Sequence, residues 1–146
     1  MHAFAKITLF FAAGAIYLKT GHKYISELKG LAYKMPITFA AIFIASAGVV
    51  GLPLTGGFST KWLLLQASIE TDEIILAIVF LLSSFLSSIY LFQIVWQGLK
   101  LDSKIDTEIS ESPIYCLIPL CFTAIMTIVL FFYADLILNF TNLWIK

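Results

Sequence analysis

The stretch Gly51-Leu-Pro-Leu-Thr-Gly-Gly-Phe-Ser-Thr-Lys61 sets helix breakers and a lysine inside an otherwise apolar run over residues 36–65. In water a helix would simply end there. In lipid every freed N–H and C=O must find a partner, so such an interruption survives only where it is buried in protein or lines a hydrated cavity. Lys61 follows the same logic, because a lysine within a membrane segment is costly enough to mark a functional site by default. A discontinuous helix carrying an ionisable residue is also the backbone device from which transporters build ion sites.

Composition places the rest of the chain in the same environment. Hydrophobic residues make up 60% of the 146 and charged residues 12%, and the mean hydropathy is +0.96; a soluble domain has about half apolar and a quarter charged residues. The net charge is zero. All the basic residues are lysines and none cluster densely, which excludes nucleic acid as a partner. Cys116 and Cys121 are five apart in one apolar segment, neither a redox pair nor a metal spacing, and read as buried thiols.

Four apolar segments are expected to cross the bilayer as an all-α, polytopic helix bundle in one membrane domain: residues 3–18, 36–68, 74–97 and 113–138. The first is marginal in length. The second is broken over residues 51–57, where Gly51, Pro53, Gly56 and Gly57 form the break. The third contains no charge, and the fourth carries none until Asp135, with Pro119 expected to kink it. Polar connections are expected at residues 19–35, 70–73 and 98–112.

Lysine placement orients the bundle, because cytoplasmic loops carry excess basic residues. Lys19, Lys23, Lys29 and Lys34 put the first connection in the cytoplasm, and Lys100 and Lys104 return the third there. The lysine-free connection Glu70-Thr-Asp-Glu73 falls outside, as do both termini. Trp62, Trp96 and Trp144 lie near segment ends, as interfacial aromatics should, although Trp62 beside the break could equally pack inside.

Residues 6–18 also have the form of a signal peptide, with Lys6 as the charged region and Ala13 and Ala15 near a cleavage site. The basic connection that follows resists translocation and favours a retained helix. His2 and Lys6 are four apart and share one helix face, with about 5–6 Å between their Cβ atoms. Two readings fit the pair: snorkelling to the interface, or a proton relay built from an imidazole that titrates near neutrality and a desolvated lysine. Ser83, Ser84, Ser87 and Ser88 form two i,i+4 pairs that read as close helix packing or as a wetted face. Thr55 and Thr60 flank the break and are candidates for a hydrated path. No nucleophile triad, phosphate-binding glycine loop, metal-ligand set or dinucleotide fold is present, so neither cofactor nor metal is expected.

The ordered motifs His2-Ala-Phe-Ala-Lys6 with the apolar run to Ile16, then Leu28-Lys-Gly-Leu31, Met35-Pro36 and Gly51 to Trp62, resemble the antiporter-like membrane subunits shared by Mrp-type cation/proton antiporters and respiratory complex I, the proton-pumping NADH-quinone oxidoreductase. The likeness covers about the first seventy residues and is closest to the D-type Mrp subunit; the last two spans match only in being apolar. The resemblance implies that Lys6, with His2 beside it, belongs to a hydrophilic axis at the membrane midplane. Lys61, just after the break, would be a terminal proton-carrying residue of that axis. It further implies other membrane subunits as partners, protons and a monovalent cation such as sodium as cargo, and a bacterial inner membrane as location. Family members carry about fourteen spans in two inverted repeats, so this chain corresponds to the C-terminal part of one. On that expectation a partner supplies the other helices, or the chain is a non-transporting structural remnant.

Overall fold

The computed structural model describes residues 2–100 and 109–134, and among them every regular element is helical. Helix α1 spans His2–Thr20, α2 Leu31–Lys34, α3 Pro36–Val50, α4 Gly56–Glu70, α5 Ile74–Leu99 and α6 Ile114–Phe132, with a 3-10 turn at Ile25–Leu28. Helices α1, α5 and α6 lie in the first, third and fourth apolar segments, and α3 and α4 lie on either side of the break; the expected end of the fourth segment, residues 135–138, falls outside the described residues. Asp135, Trp144 and the charged stretch over residues 101–108 lie outside the described residues.

The boundaries follow from local chemistry. Gly21 ends α1 in the left-handed region, φ +71°, and its N–H returns to Tyr17 O at 2.9 Å. Pro36 opens α3 at a position where the missing N–H costs nothing. Gly51, φ +82°, closes it, and the N–H groups of Gly51 and Leu52 both donate to Ala47 O, at 2.9 and 3.0 Å. Helices α1, α5 and α6 are each long and apolar enough to cross a membrane. Helix α3, at 15 residues, rises only about 22 Å against a hydrocarbon core of about 30 Å. It needs α4 beyond the break to complete a crossing.

Helix α1 packs against α3 and α6, and α3 also against α5. Small residues let these helices approach closely: Ala5, Ala12 and Ala15 are buried on α1, and a Cβ on Gly48 of α3 would sit 3.2 Å from Ala5 Cβ and 2.6 Å from Thr127 Cγ2 of α6. Thr8 and Thr123 satisfy one another in this interface, whereas the buried Ser46 hydroxyl of α3 has no partner among the described residues. The buried Thr8 hydroxyl lies 2.8 Å from Phe4 O and 2.9 Å from the Thr123 hydroxyl of α6. The opposite faces are apolar and open; Ile75, Phe85 and Leu86 on α5 are more than half exposed, a surface suited to lipid or further helices rather than water.

The connection over residues 19–35 is less polar in place than in composition. Leu28, Leu31, Ala32 and Met35 are buried and join Ile16, Phe39 and Leu120 in the main apolar cluster, so the connection folds back over the bundle end. Glu27 holds that fold: its carboxylate accepts from the Lys23 and Tyr24 N–H groups at 2.9 and 3.1 Å. Those donors, Tyr24 foremost, hold its carboxyl below the usual range, so the cap is intact at neutral pH and lost as the pH falls through that lowered value. At the other side of this end, the Glu111 carboxylate accepts from Ile37 N–H at 2.6 Å and from the Thr38 hydroxyl at 2.9 Å. It satisfies the Ile37 amide, one of α3's unpaired amides, at the positive end of the helix dipole. Ser110 N–H to Lys34 O and Ser112 Oγ to Ala15 O, both 2.8 Å, fasten the same segment to its neighbours.

Candidate functional site at the helix break

Between α3 and α4 the backbone turns sharply through residues 51–55. Leu54 is held at φ +73°, a left-handed conformation that costs an L-residue roughly 1–2 kcal/mol, and Pro53 can donate no hydrogen bond. The buried Thr55 side chain staples the turn: its hydroxyl donates to Leu52 O at 2.7 Å and lies 3.4 Å from Ala47 O. The Thr60 hydroxyl sits 3.5 Å from Gly56 O, one turn back on its own helix. Both threonines flank the break as expected, with their hydroxyls directed at backbone carbonyls.

The glycines of the break make close approach possible. A Cβ on Gly57 would collide with the Gly48 carbonyl oxygen, so α3 and α4 meet backbone to backbone. At Gly51 a Cβ would lie 2.8 Å from Lys61 Cδ; the lysine stem passes directly over this residue. Gly56 begins α4 and is buried.

That passage delivers Lys61 Nζ to the end of α3. It donates to Val50 O at 2.7 Å and to Ser84 Oγ of α5 at 2.8 Å, and it lies 5.9 Å from the Phe80 ring centroid, within range of a cation–π attraction. Val50 is the last residue of α3, where helix carbonyls lack intrahelical partners and carry the negative end of the dipole. The lysine therefore caps the carbonyl end that the break creates. Its partners are a carbonyl, a hydroxyl and a ring, all neutral; among the described residues the one acid–base contact of salt-bridge length is His22 Nδ1 to Glu27 Oε2, at 3.7 Å, and it does not involve Lys61. A cavity of about 250 Å³ adjoins the amine, walled by Phe58, Trp62, Leu65 and Leu81 among others. Trp62 stacks on Phe58 with ring centroids 6.1 Å apart and stays half exposed.

The imidazole of His2 is exposed at the start of α1. Lys6 itself is exposed on the outer side of α1, opposite the face of Ala5 and Thr8 that packs into the bundle. Of these three groups only Lys61 is partly buried. Ser84 and the Val50 carbonyl are the contacts that motif reading missed: Ser84 stood among four serines with nothing to single it out. Cys116 and Cys121 are unpaired and only partly buried. No three of His, Cys, Asp and Glu gather as a metal site among the described residues.

Comparison with known proteins gives this arrangement a family. Residues 1–87, more than half of the chain, match the family described as NADH:quinone oxidoreductase/Mrp antiporter, transmembrane. The chain belongs to that family and is an integral, multi-pass membrane protein. It is 37% identical over 94 residues to NADH-quinone oxidoreductase subunit N of Desulforudis audaxviator, covering 64% of this chain and 19% of that protein. It is also 43% identical over 70 residues to a protein of Rhizobium meliloti named as a probable K(+)/H(+) antiporter subunit, covering 48% and 7%. In fold it is similar to a chain of the Mrp complex from Dietzia sp. DQ12-45-1b, with a TM-score of 0.80 at 21% identity over 94% of this chain and 34% of that one. The chain spans about a fifth or less of the length of these two curated relatives.

Proposed function

We propose that the chain forms part of a proton-carrying membrane subunit in a multi-subunit monovalent cation/proton antiporter, with Lys61 as the residue that takes up and releases the proton. Lys6 and His2 continue the path toward helices outside this chain, which corresponds to the C-terminal part of a longer architecture. The observation that carries this is the set of neutral partners around Lys61. An ammonium locked to a buried carboxylate would be fixed in its charged form, whereas one held by a carbonyl, a hydroxyl and a ring can lose its proton at modest cost. Other membrane subunits cover the open apolar faces, sodium is the exchanged cation, and the complex sits in a bacterial inner membrane.

The test is made on inverted vesicles from the organism that carries the gene. A sodium or potassium pulse should discharge a preformed pH gradient, and deleting the gene should abolish the response. Complex I relatives supply a second coupling, in which protons move when NADH is oxidised. Loss of NADH-driven proton uptake on deletion, with cation exchange intact, would assign the chain to that coupling. No change in either flux would overturn a transport role and favour a structural remnant.

The lysine distribution sets a further expectation, that the connection over residues 19–35 faces the cytoplasm. A reporter fused after Lys34 should be active only as a cytoplasmic fusion, and one after Asp72 only as an external one. The reverse pattern would invert the path proposed for the proton.

A further inference from the structure

The two hydrogen bonds of Lys61 differ in kind. Val50 O can only accept. Ser84 Oγ carries both lone pairs and a proton, so it can accept from an ammonium or donate to an amine. With Lys61 charged, both oxygens take an N–H. With Lys61 neutral, Val50 O still takes one N–H while the serine hydroxyl turns about its Cβ–Oγ bond and donates into the nitrogen lone pair. Neither state leaves a partner unsatisfied in a site where an unpaired polar group is expensive.

Few charges nearby could substitute for this contact. Helices α3, α5 and α6 contain no charged residue at all, and the other charge of α4 is Glu70, nine positions along. From α1, His2 and Lys6 are both exposed, and neither hydrogen-bonds to Lys61. The serine hydroxyl is therefore the one side-chain hydrogen-bond partner that Lys61 has among the described residues, and it comes from a helix outside the broken pair.

We propose that Ser84 is a positioning residue for Lys61, holding the amine beside the Val50 carbonyl through both protonation states. The proposal rests on Lys61 being the proton carrier. In the step itself one N–H bond of the ammonium breaks, the electron pair stays on nitrogen, and the proton passes to a water oxygen admitted to the adjoining cavity. Ser84 keeps its own proton throughout and only reverses the direction of its hydrogen bond.

Valine and threonine have nearly the same shape and differ by the hydroxyl, so they separate the chemistry of Ser84 from its volume. Cation-driven proton flux is measured in inverted vesicles carrying Ser84→Ala, Ser84→Val, Ser84→Thr and Ser84→Asp, with Lys61→Met alongside and complex levels normalised on a blot. Ala and Val should lower flux about tenfold, the scale of one hydrogen bond to a charged group, and Thr should restore it to within about twofold of the parent. Asp should suppress flux while leaving assembly intact, because a carboxylate binds the ammonium and cannot donate to the amine. Equal flux from Val and Thr, with Lys61→Met inactive, would overturn the positioning role and spare the carrier role. An active Lys61→Met would overturn both. If Val fails to assemble, Ala decides, and parental flux from Ala would sink the proposal.

Discussion

Lys61→Met should leave the chain in the membrane at parental levels while cation-driven proton flux falls by on the order of 100-fold or more, the scale expected when a positioned proton-transfer group is removed. The expectation follows from the geometry. Lys61 Nζ is the one group at the break that can change charge, and it is held by Val50 O and Ser84 Oγ without a carboxylate. Insertion should not suffer, since an apolar side chain at membrane depth is easier to place than a lysine by about 3 kcal/mol. Lys61→Arg should fail as well, because a guanidinium never gives up its proton in a protein and would leave a fixed charge over Val50. The measurement is sodium-driven proton movement in inverted vesicles, scaled to the complex present. Parental flux from Lys61→Met would reduce Lys61 to a snorkelling residue that merely caps α3.

Gly57→Val should have the largest effect on assembly. The added Cβ would run into the Gly48 carbonyl oxygen, which is backbone and cannot swing aside, and Gly51 Cα lies 3.4 Å away on the same side. Helices α3 and α4 must then separate, at an overpacking cost of about 1–3 kcal/mol or more, and the Lys61 stem loses its seat over Gly51. Gly14→Ala is the control, because nothing lies within 4 Å of a Cβ there and alanine favours a helix by about 1 kcal/mol over glycine. Thermal unfolding of the purified complex in detergent should drop sharply for Gly57→Val and hold or rise for Gly14→Ala. Equal melting of the two would show that α3 and α4 do not need their backbone contact.

The break and its lysine were legible because proline and glycine act locally: Pro53, Gly56 and Gly57 interrupt a helix whatever surrounds them. The membrane class and the helical spans followed from long apolar runs for the same reason. What could not be read depends on how separate helices register. Ser84 looked identical to Ser83, Ser87 and Ser88 until the rotation of α5 against α4 set one of the four beside the amine. Glu111 looked like one more charge in a polar connection, and only the fold brings it to Ile37 and Thr38, more than seventy residues away in sequence. The connection over residues 19–35 read as a loop because its lysines dominate the composition, yet Leu28, Leu31 and Met35 are spaced to turn inward and close the bundle end. Lys6 shows the converse. Its motif is plain in the sequence, yet the side chain stands exposed on α1.

Helix α3 is gripped at both ends by side chains from other elements, Glu111 on the Ile37 amide and Thr38 hydroxyl and Lys61 on its last carbonyl. A hydrogen-bonded rod of this length, about 22 Å, carries a push along its axis more readily than it bends. Its first free amide is held from the segment before α6 and its last carbonyl from α4, so two neighbouring elements fix its position along that axis. The helix is thus a strut as much as a wall, tying the break to the opposite end of the bundle.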